Sequence, residues 1–306
     1  MPSWQARVLS FAVSSLVRRR DWGPERTLAR RARRLFGASR PYGWIAIRGL
    51  RCDRVRAGSI CGEWLIPKDP DPGVVFYVHG GGFVSCSAAT HRPITAALAR
   101  ATRRRVFSVD YRLAPEHRFP AAQDDVLAAY EWLLTTGVQS SEVALAGDSA
   151  GGNLVLALAV RLRDECRPAP ACVVAFSPWA DLGGTGASVR ANDGRCAMFR
   201  PKNIADFAAA VLGPVAANSP AASPVYADLS GLPPVLLHVG STELLLDDAQ
   251  RVHERIRSGG GTSRMEVYED VPHAWQMLAP LVPEATTSIR DAAAFMASQL
   301  EGELGR

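Results

Sequence analysis

Lysine is nearly absent from this chain of 306 residues: Lys68 and Lys202 are the only lysines among its 35 basic residues. The net charge of +5 and the isoelectric point of about 9.0 therefore come from a general use of arginine, which is weak evidence for a nucleic-acid surface. Zinc-finger spacing, interleaved aromatic and basic residues, and a recognition-helix pattern are also missing. We therefore expect no nucleic-acid partner.

Cysteine is sparse too, and its spacing excludes two further classes of protein. The six cysteines form no C-x-x-C pair and no cysteine–histidine cluster with metal-ligand spacing, so we expect no bound metal and no disulfide framework. No apolar run approaches the length of a transmembrane helix, and no cleavable export signal is evident. A reducing, cytoplasmic location is the prediction that follows.

The pattern of apolar residues changes near residue 49. Residues 1–48 are predicted to be helical, with Trp4, Val8 and Phe11 at helical spacing and a second, arginine-rich helix from about residue 24 to 36. An amphipathic pair packed on the main domain is the favoured interpretation, and weak contact with a membrane surface is the alternative. From residue 49 to 306, short apolar strands alternate with helices. This alternation predicts an α/β fold with a mostly parallel sheet flanked by helices.

A serine lies at the junction of one such strand and helix. Residues 147–151 read Gly-Asp-Ser-Ala-Gly, which fits G-x-S-x-G, and they follow an apolar strand at 143–146 and precede an apolar helix from Asn153. In this context the pattern predicts a nucleophile elbow, where a sharp backbone turn exposes the side chain of Ser149. The amide of Ala150, at the start of the helix, would then face a developing oxyanion.

A serine nucleophile needs a base and a carboxylate, which follow it in the chain in the order acid, then histidine. His273 lies in a loop after the predicted strand at 265–268 and is the candidate base. Glu243, Asp247 and Asp248 compete for the role of acid after the strand at 235–239. Glu243 is favoured because it is nearest the end of the strand, whereas the two aspartates suit the first turn of the next helix. Asp247 stays open as the alternative.

The sequence His79-Gly80-Gly81-Gly82 follows the strand at 74–78, as expected of an oxyanion loop. Its glycines let backbone amides come close to a substrate, and Gly81, Gly82 and Ala150 are the candidate donors. His79 is interpreted as an organiser of the loop. The loop lacks both a following Lys-Ser/Thr and a G-x-G-x-x-G pattern, so no nucleotide cofactor is predicted.

Together these motifs resemble the bacterial hormone-sensitive-lipase-like family of α/β-hydrolase carboxylesterases. The likeness covers about residues 62–300 and is carried by the segments at 79–82, 110–117, 147–152 and 177–178 and by His273. It implies Ser149 as nucleophile and His273 as base. The family's Asp-Pro-Leu-x-Asp stretch matches Glu243 to Asp247, so a glutamate stands in place of the usual aspartate. Cys86 occupies a position where the family tends to have glycine.

The resemblance also implies a small helical cap over the ends of the strands. Residues 1–48 and an insertion at about 183–217 would form it, and residues 49–306 would form the catalytic domain. Asp148 and the segment at 110–117 are expected to be structural, holding the elbow and the oxyanion loop by hydrogen bonds. The candidate apolar residues of the substrate pocket are Trp179, Met198, Phe199, Phe207 and Trp275.

The predicted activity is hydrolysis of short- to medium-chain acyl esters through an acyl-enzyme, with no cofactor and no metal. The substrate would be a small-molecule ester, and the protein a monomer or a homodimer. Two alternatives use the same fold: a non-catalytic small-molecule receptor, and an amidase or peptidase with the same triad.

Overall fold

A computed structural model of the chain describes residues 2–20, 22–37 and 41–304. Eight strands form its single sheet: β1 (Arg51–Ala57), β2 (Ile60–Ile66), β3 (Val74–Val78), β4 (Arg105–Val109), β5 (Val143–Asp148), β6 (Cys172–Phe176), β7 (Val235–Gly240) and β8 (Ser263–Tyr268). Their order across the sheet is β1-β2-β4-β3-β5-β6-β7-β8. The strands β3 to β8 are parallel to one another, and β2 is antiparallel to both β1 and β4. The mostly parallel sheet expected from the sequence is confirmed.

Helices cover both faces of this sheet. The α-helices are α1 (Trp4–Val13), α2 (Glu25–Phe36), α3 (Pro41–Ala46), α4 (Arg92–Thr102), α5 (Ala121–Thr135), α6 (Ala150–Asp164), α7 (Ser188–Ala191), α8 (Pro201–Leu212), α9 (Leu246–Ser258) and α10 (Pro283–Leu304). A π-helical turn at Ser14–Arg18 continues α1, and short 3₁₀ turns occupy Ala88–His91, Ser140–Glu142, Pro224–Tyr226 and Trp275–Leu278. None of the helices in the described residues is both long enough and apolar enough to cross a bilayer.

The central strand β3 shows why the sheet needs cover on both sides. All five of its residues are buried, and alternate side chains enter different cores. Phe76 belongs to the core that includes residues of α5, α6 and α9, whereas Tyr77 belongs to the core that includes residues of α4 and α10. A continuous apolar run is the form that a strand takes when both of its faces are covered.

The N-terminal helices meet the segment around α7 and α8 above the ends of the strands. The ring of Trp22 lies 5.7 Å from those of Phe36 and Phe207, which joins the first helices to α8. Arg18 donates a hydrogen bond of 2.9 Å to the carbonyl oxygen of Cys196 and pairs with Asp193 at 2.6 Å. We call α1–α3, α7 and α8 the cap. The division at residues 48 and 49 and the insertion at about 183–217 stay predictions.

Candidate active site

The sequence-predicted site residues follow four strands at one edge of the sheet. The glycine loop follows β3, Ser149 follows β5, Glu243 follows β7 and His273 follows β8. Because the carboxyl ends of parallel strands meet at the same edge, residues far apart in the chain converge there.

Ser149 lies on a strained corner between β5 and α6. Its backbone has φ 55° and ψ −118°, a conformation that L-residues rarely adopt. A side chain at Gly151 could not be accommodated, because its Cβ would lie 2.0 Å from the carbonyl oxygen of Val78. The corner is held by Ser149 itself, whose amide donates to Phe176 at 2.8 Å and whose carbonyl accepts from the amide of Trp179 at 3.0 Å. This is the geometry of a nucleophile elbow.

Glu243 and His273 form a buried pair. The distance from His273 Nδ1 to Glu243 Oε2 is 2.5 Å, and Glu243 is only 1% exposed. The other carboxylate oxygen, Oε1, accepts from the amide of Gly240 at 2.7 Å and from the hydroxyl of Ser177 at 2.6 Å. Since an ionised carboxylate only accepts hydrogen bonds, His273 donates through Nδ1 and leaves Nε2 free to accept a proton.

The two competing aspartates have other partners. Asp247 Oδ2 accepts from the amide of Ser188 at 2.9 Å, and Asp248 Oδ2 accepts from the amide of Asp181 at 2.8 Å. Burial raises the pKa of Asp248 well above its usual range. Within the described part of the chain, neither aspartate forms a hydrogen bond or ion pair with His273. Both lie in the first turn of α9.

The glycine loop brings backbone amides beside Ser149. Gly81 has φ 113°, and a Cβ there would lie 2.4 Å from the carbonyl oxygen of Ser85, so the tight turn requires glycine. Gly81, Gly82 and Ser149 line the same cavity. Among the described residues, the amides of Gly81, Gly82 and Ala150 donate to no protein acceptor. Their role as oxyanion donors stays a prediction.

Asp148 ties the elbow to this loop. Its Oδ1 accepts from the hydroxyl of Tyr77 at 2.6 Å and from the amide of Gly80 at 3.0 Å, and it lies 3.3 Å from His91 Nε2. Burial alone would raise the pKa of Asp148. The charge of His91 and the hydrogen bonds from His91 and Tyr77 outweigh that effect and lower the pKa to about 2. Asp148 is therefore an ionised organiser of the loop.

His79 is packed away from the reacting centre. Its ring stacks on Tyr111 at 4.3 Å, and the hydroxyl of Tyr111 donates to the carbonyl oxygen of His79 at 2.9 Å. Burial, followed by the neighbouring His91, lowers the pKa of His79 to about 4, so its imidazole is neutral at pH 7. The segment at 110–117 thus supports the loop through Tyr111, as a structural role requires.

Sequence reasoning missed three partners in the site. The sequence predicts Ser177 only as part of a motif, although its hydroxyl holds Glu243, and neither Tyr77 nor His91 is among the predicted site residues. The sequence does give a signal for Tyr77, because its hydroxyl is a polar group within the otherwise apolar run of β3. Cys86 has φ 74°, which explains why glycine would suit that position.

A cavity of about 290 Å³ lies between the cap and the ends of the strands. Ser149 and His273 both line it. All five apolar residues proposed for the pocket also line it: Trp179, Met198, Phe199, Phe207 and Trp275. In the described residues, no group of three or more histidine, cysteine or acidic side chains is placed to hold a metal ion.

The elbow, the buried histidine–carboxylate pair and the glycine loop around one cavity are the arrangement that defines hydrolases of the α/β class. A family model described as alpha/beta hydrolase fold matches residues 75–277. An acetyl-hydrolase of Streptomyces hygroscopicus is 38% identical over 244 residues, which cover 80% of this chain and 82% of that protein. Esterase LipU of Mycobacterium tuberculosis is 33% identical over 287 residues, covering 92% and 94% of the two chains.

The solved structures agree with these relatives. An esterase from the bacterial hormone-sensitive lipase family superposes with a TM-score of 0.88 at 36% identity, covering 98% of this chain and 99% of that one. The chain therefore belongs to the α/β-hydrolase family, in its bacterial hormone-sensitive-lipase-like branch. It is a carboxylic-ester hydrolase.

Proposed function

We propose that the protein is a serine carboxylesterase that hydrolyses small esters of short- to medium-chain acids through an acyl-enzyme. Ser149 would be the nucleophile, His273 the base and Glu243 the acid, and the amides of Gly81, Gly82 and Ala150 would bind the oxyanion. The observation that carries the proposal is the 2.5 Å contact between His273 and Glu243 in a cavity that Ser149 also lines.

In the first half of the reaction, His273 Nε2 takes the proton of the Ser149 hydroxyl as Oγ bonds to the acyl carbon. The charge that develops on the carbonyl oxygen is stabilised by the three amides. The tetrahedral intermediate then breaks its bond to the alcohol oxygen, which leaves with the proton from His273. Water repeats these steps on the acyl-enzyme, releasing the carboxylic acid and restoring Ser149.

The size of the cavity supports the proposed chain length. A volume of about 290 Å³ is at the lower end of the range of roughly 300–1,000 Å³ for small-molecule sites. The relative from Streptomyces hygroscopicus is itself named an acetyl-hydrolase. A reducing, cytoplasmic location is proposed as well, since all six cysteines are described and no disulfide joins any two of them. The proposed oligomeric state is a monomer or a homodimer.

Labelling with a fluorophosphonate, followed by turnover of a series of nitrophenyl esters of increasing chain length, tests the proposal. We expect Ser149 to be labelled and Ser149→Ala to lose at least about a thousand-fold in kcat. Ser188→Ala is the matched control, because that serine is also buried and donates to the carbonyl oxygen of Leu244, but lies outside the cavity lining. Full turnover by Ser149→Ala would overturn the assignment, and a preference for very long chains would overturn the proposed substrate range.

A further inference from the structure

The first helix carries apolar residues on two opposite sides. Leu9 and Val13 line the cavity on its inner side. On its outer side Trp4, Val8 and Phe11 are 71%, 58% and 74% exposed, at the i, i+4, i+7 spacing of one helix face. A helix that only packs on a domain carries polar residues on its outer side. The outer side of α1 therefore resembles an interaction surface.

Further exposed apolar residues lie beside this helix. Trp44 and Ile45 of α3 and Leu281 are each about 60% exposed. Both helices attach to the same stretch of chain at 279–284. Ser3, at the start of α1, donates to Glu284 at 2.8 Å, and Tyr42 of α3 donates to the carbonyl oxygen of Ala279 at 2.8 Å.

We group the exposed apolar residues of α1, of α3 and of the chain at 279–284 as the cap face: Trp4, Val8, Phe11, Trp44, Ile45 and Leu281. An exposed apolar surface of this kind on a protein marks a site of interaction.

Positive charge accompanies the cap face. Arg7 lies one turn from Trp4 on the outer side of α1, and Arg19 and Arg48 are exposed at the ends of the neighbouring segments. Residues 2–20 contain no acidic residue at all. Along α2, Arg26, Arg30 and Arg34 are exposed at intervals of four residues. The partner of this surface must therefore accept apolar side chains and carry negative charge.

We propose that the cap face docks on the surface of an anionic phospholipid bilayer, with its apolar side chains at the boundary between headgroups and acyl chains. Such a surface matches both properties of the cap face, since acyl chains accept Trp4 and Phe11 and lipid phosphates attract Arg7. A second copy of the chain fits less well, because a two-fold contact would bring like arginines together. A nucleic acid would match the arginines and leave the aliphatic side chains of Val8 and Ile45 without a partner.

Docking would also give α1 a role in the supply of substrate. The helix has one side toward the bilayer and the other toward the cavity, so an ester dissolved in the membrane would meet the cavity wall directly. This consequence depends on the proposed ester hydrolysis, whereas the docking itself does not.

Flotation of the 306-residue chain with vesicles tests the proposal. We expect binding to vesicles of equimolar phosphatidylcholine and phosphatidylglycerol, weaker binding to pure phosphatidylcholine, and release by high salt. Trp4→Gln with Phe11→Gln should lower the partition coefficient more than ten-fold. The control for this pair is Val267→Gln, since Val267 is a 40% exposed apolar residue on β8, outside the cap face.

The arginines are tested in the same way. Arg7→Gln with Arg19→Gln should lower binding to the anionic vesicles about thirty-fold, at about five-fold per charge, and Arg257→Gln on α9 is the matched control. Turnover of a water-soluble short ester without vesicles is measured on every variant, so that loss of docking and loss of hydrolysis are separate results.

Three results would overturn the docking proposal while leaving the hydrolase intact. One is an active protein that stays with the soluble fraction when anionic vesicles float. The second is wild-type binding by both double variants. The third is concentration-dependent self-association, or binding to RNA, that the Trp4 and Phe11 substitutions abolish while flotation is unchanged.

Discussion

Replacing Glu243 by glutamine should disable the reaction through the tautomer of His273. Two donors, Gly240 and Ser177, face Oε1, and one donor, His273 Nδ1, faces Oε2. A glutamine can satisfy the first two only by placing its oxygen at Oε1. Its NH₂ group then faces His273 Nδ1, which must give up its hydrogen. The hydrogen moves to Nε2, the atom that would accept the proton of Ser149 in the proposed reaction.

The expected loss follows from this tautomer change. In the serine-protease triad, replacing the aspartate by asparagine lowers kcat about 10⁴-fold, or about 5 kcal/mol of transition-state stabilisation. Because Glu243 is buried and fully hydrogen-bonded, we expect a loss of the same order for Glu243→Gln, with little change in KM. Glu243→Asp keeps the negative charge but places it farther from His273, so its kcat should lie between those of the wild type and Glu243→Gln.

Steady-state kinetics on a short nitrophenyl ester measure both constants, with thermal unfolding as the check that each variant folds. Asp247→Asn is the matched control. Asp247 accepts a hydrogen bond from the amide of Ser188, and an asparagine oxygen can do the same. We expect that variant to keep kcat within about two-fold. A Glu243→Gln enzyme with more than a tenth of wild-type kcat, or an equal loss in Asp247→Asn, would refute the reasoning.

Two further predictions concern Ser177, which holds Glu243, and Asp148, which holds the glycine loop. Ser177→Ala removes a 2.6 Å hydrogen bond to the carboxylate of Glu243 and should lower kcat about ten-fold at constant KM; an unchanged kcat would contradict the positioning role. The pKa of Asp148 is lowered to about 2 in the folded protein, below the value of about 3.9 in the unfolded chain. The ionised carboxylate therefore stabilises the fold fully above about pH 3.9, and this stabilisation is lost as the pH falls toward 2. Between pH 5 and pH 2, the free energy of unfolding measured with denaturant should therefore fall by about 2 kcal/mol less in Asp148→Asn than in the wild type. Parallel pH curves for the two proteins would contradict the prediction.

Much of the fold could be predicted because local patterns determine it. The continuous apolar runs before Ser149 and before the glycine loop are typical of buried parallel strands, and the breaks after them locate the functional edge of the sheet. The partners of the site were harder to predict because they come from distant segments. Ser177 is 66 residues from Glu243, and Tyr77 is 71 residues from Asp148, so only the strand order brings them together.

The three acidic residues after β7 show how position in the fold outweighs residue type. Glu243, Asp247 and Asp248 lie within six residues of one another, and all three contact backbone amides. Only Glu243 precedes the first turn of α9. It lies in the loop after Gly240, which runs beside the loop that follows β8. Its longer side chain can bond to the amide of Gly240 with one oxygen and reach His273 with the other. A glutamate can therefore contact the histidine from this position, because Ser177 and Gly240 hold the oxygen that does not contact it.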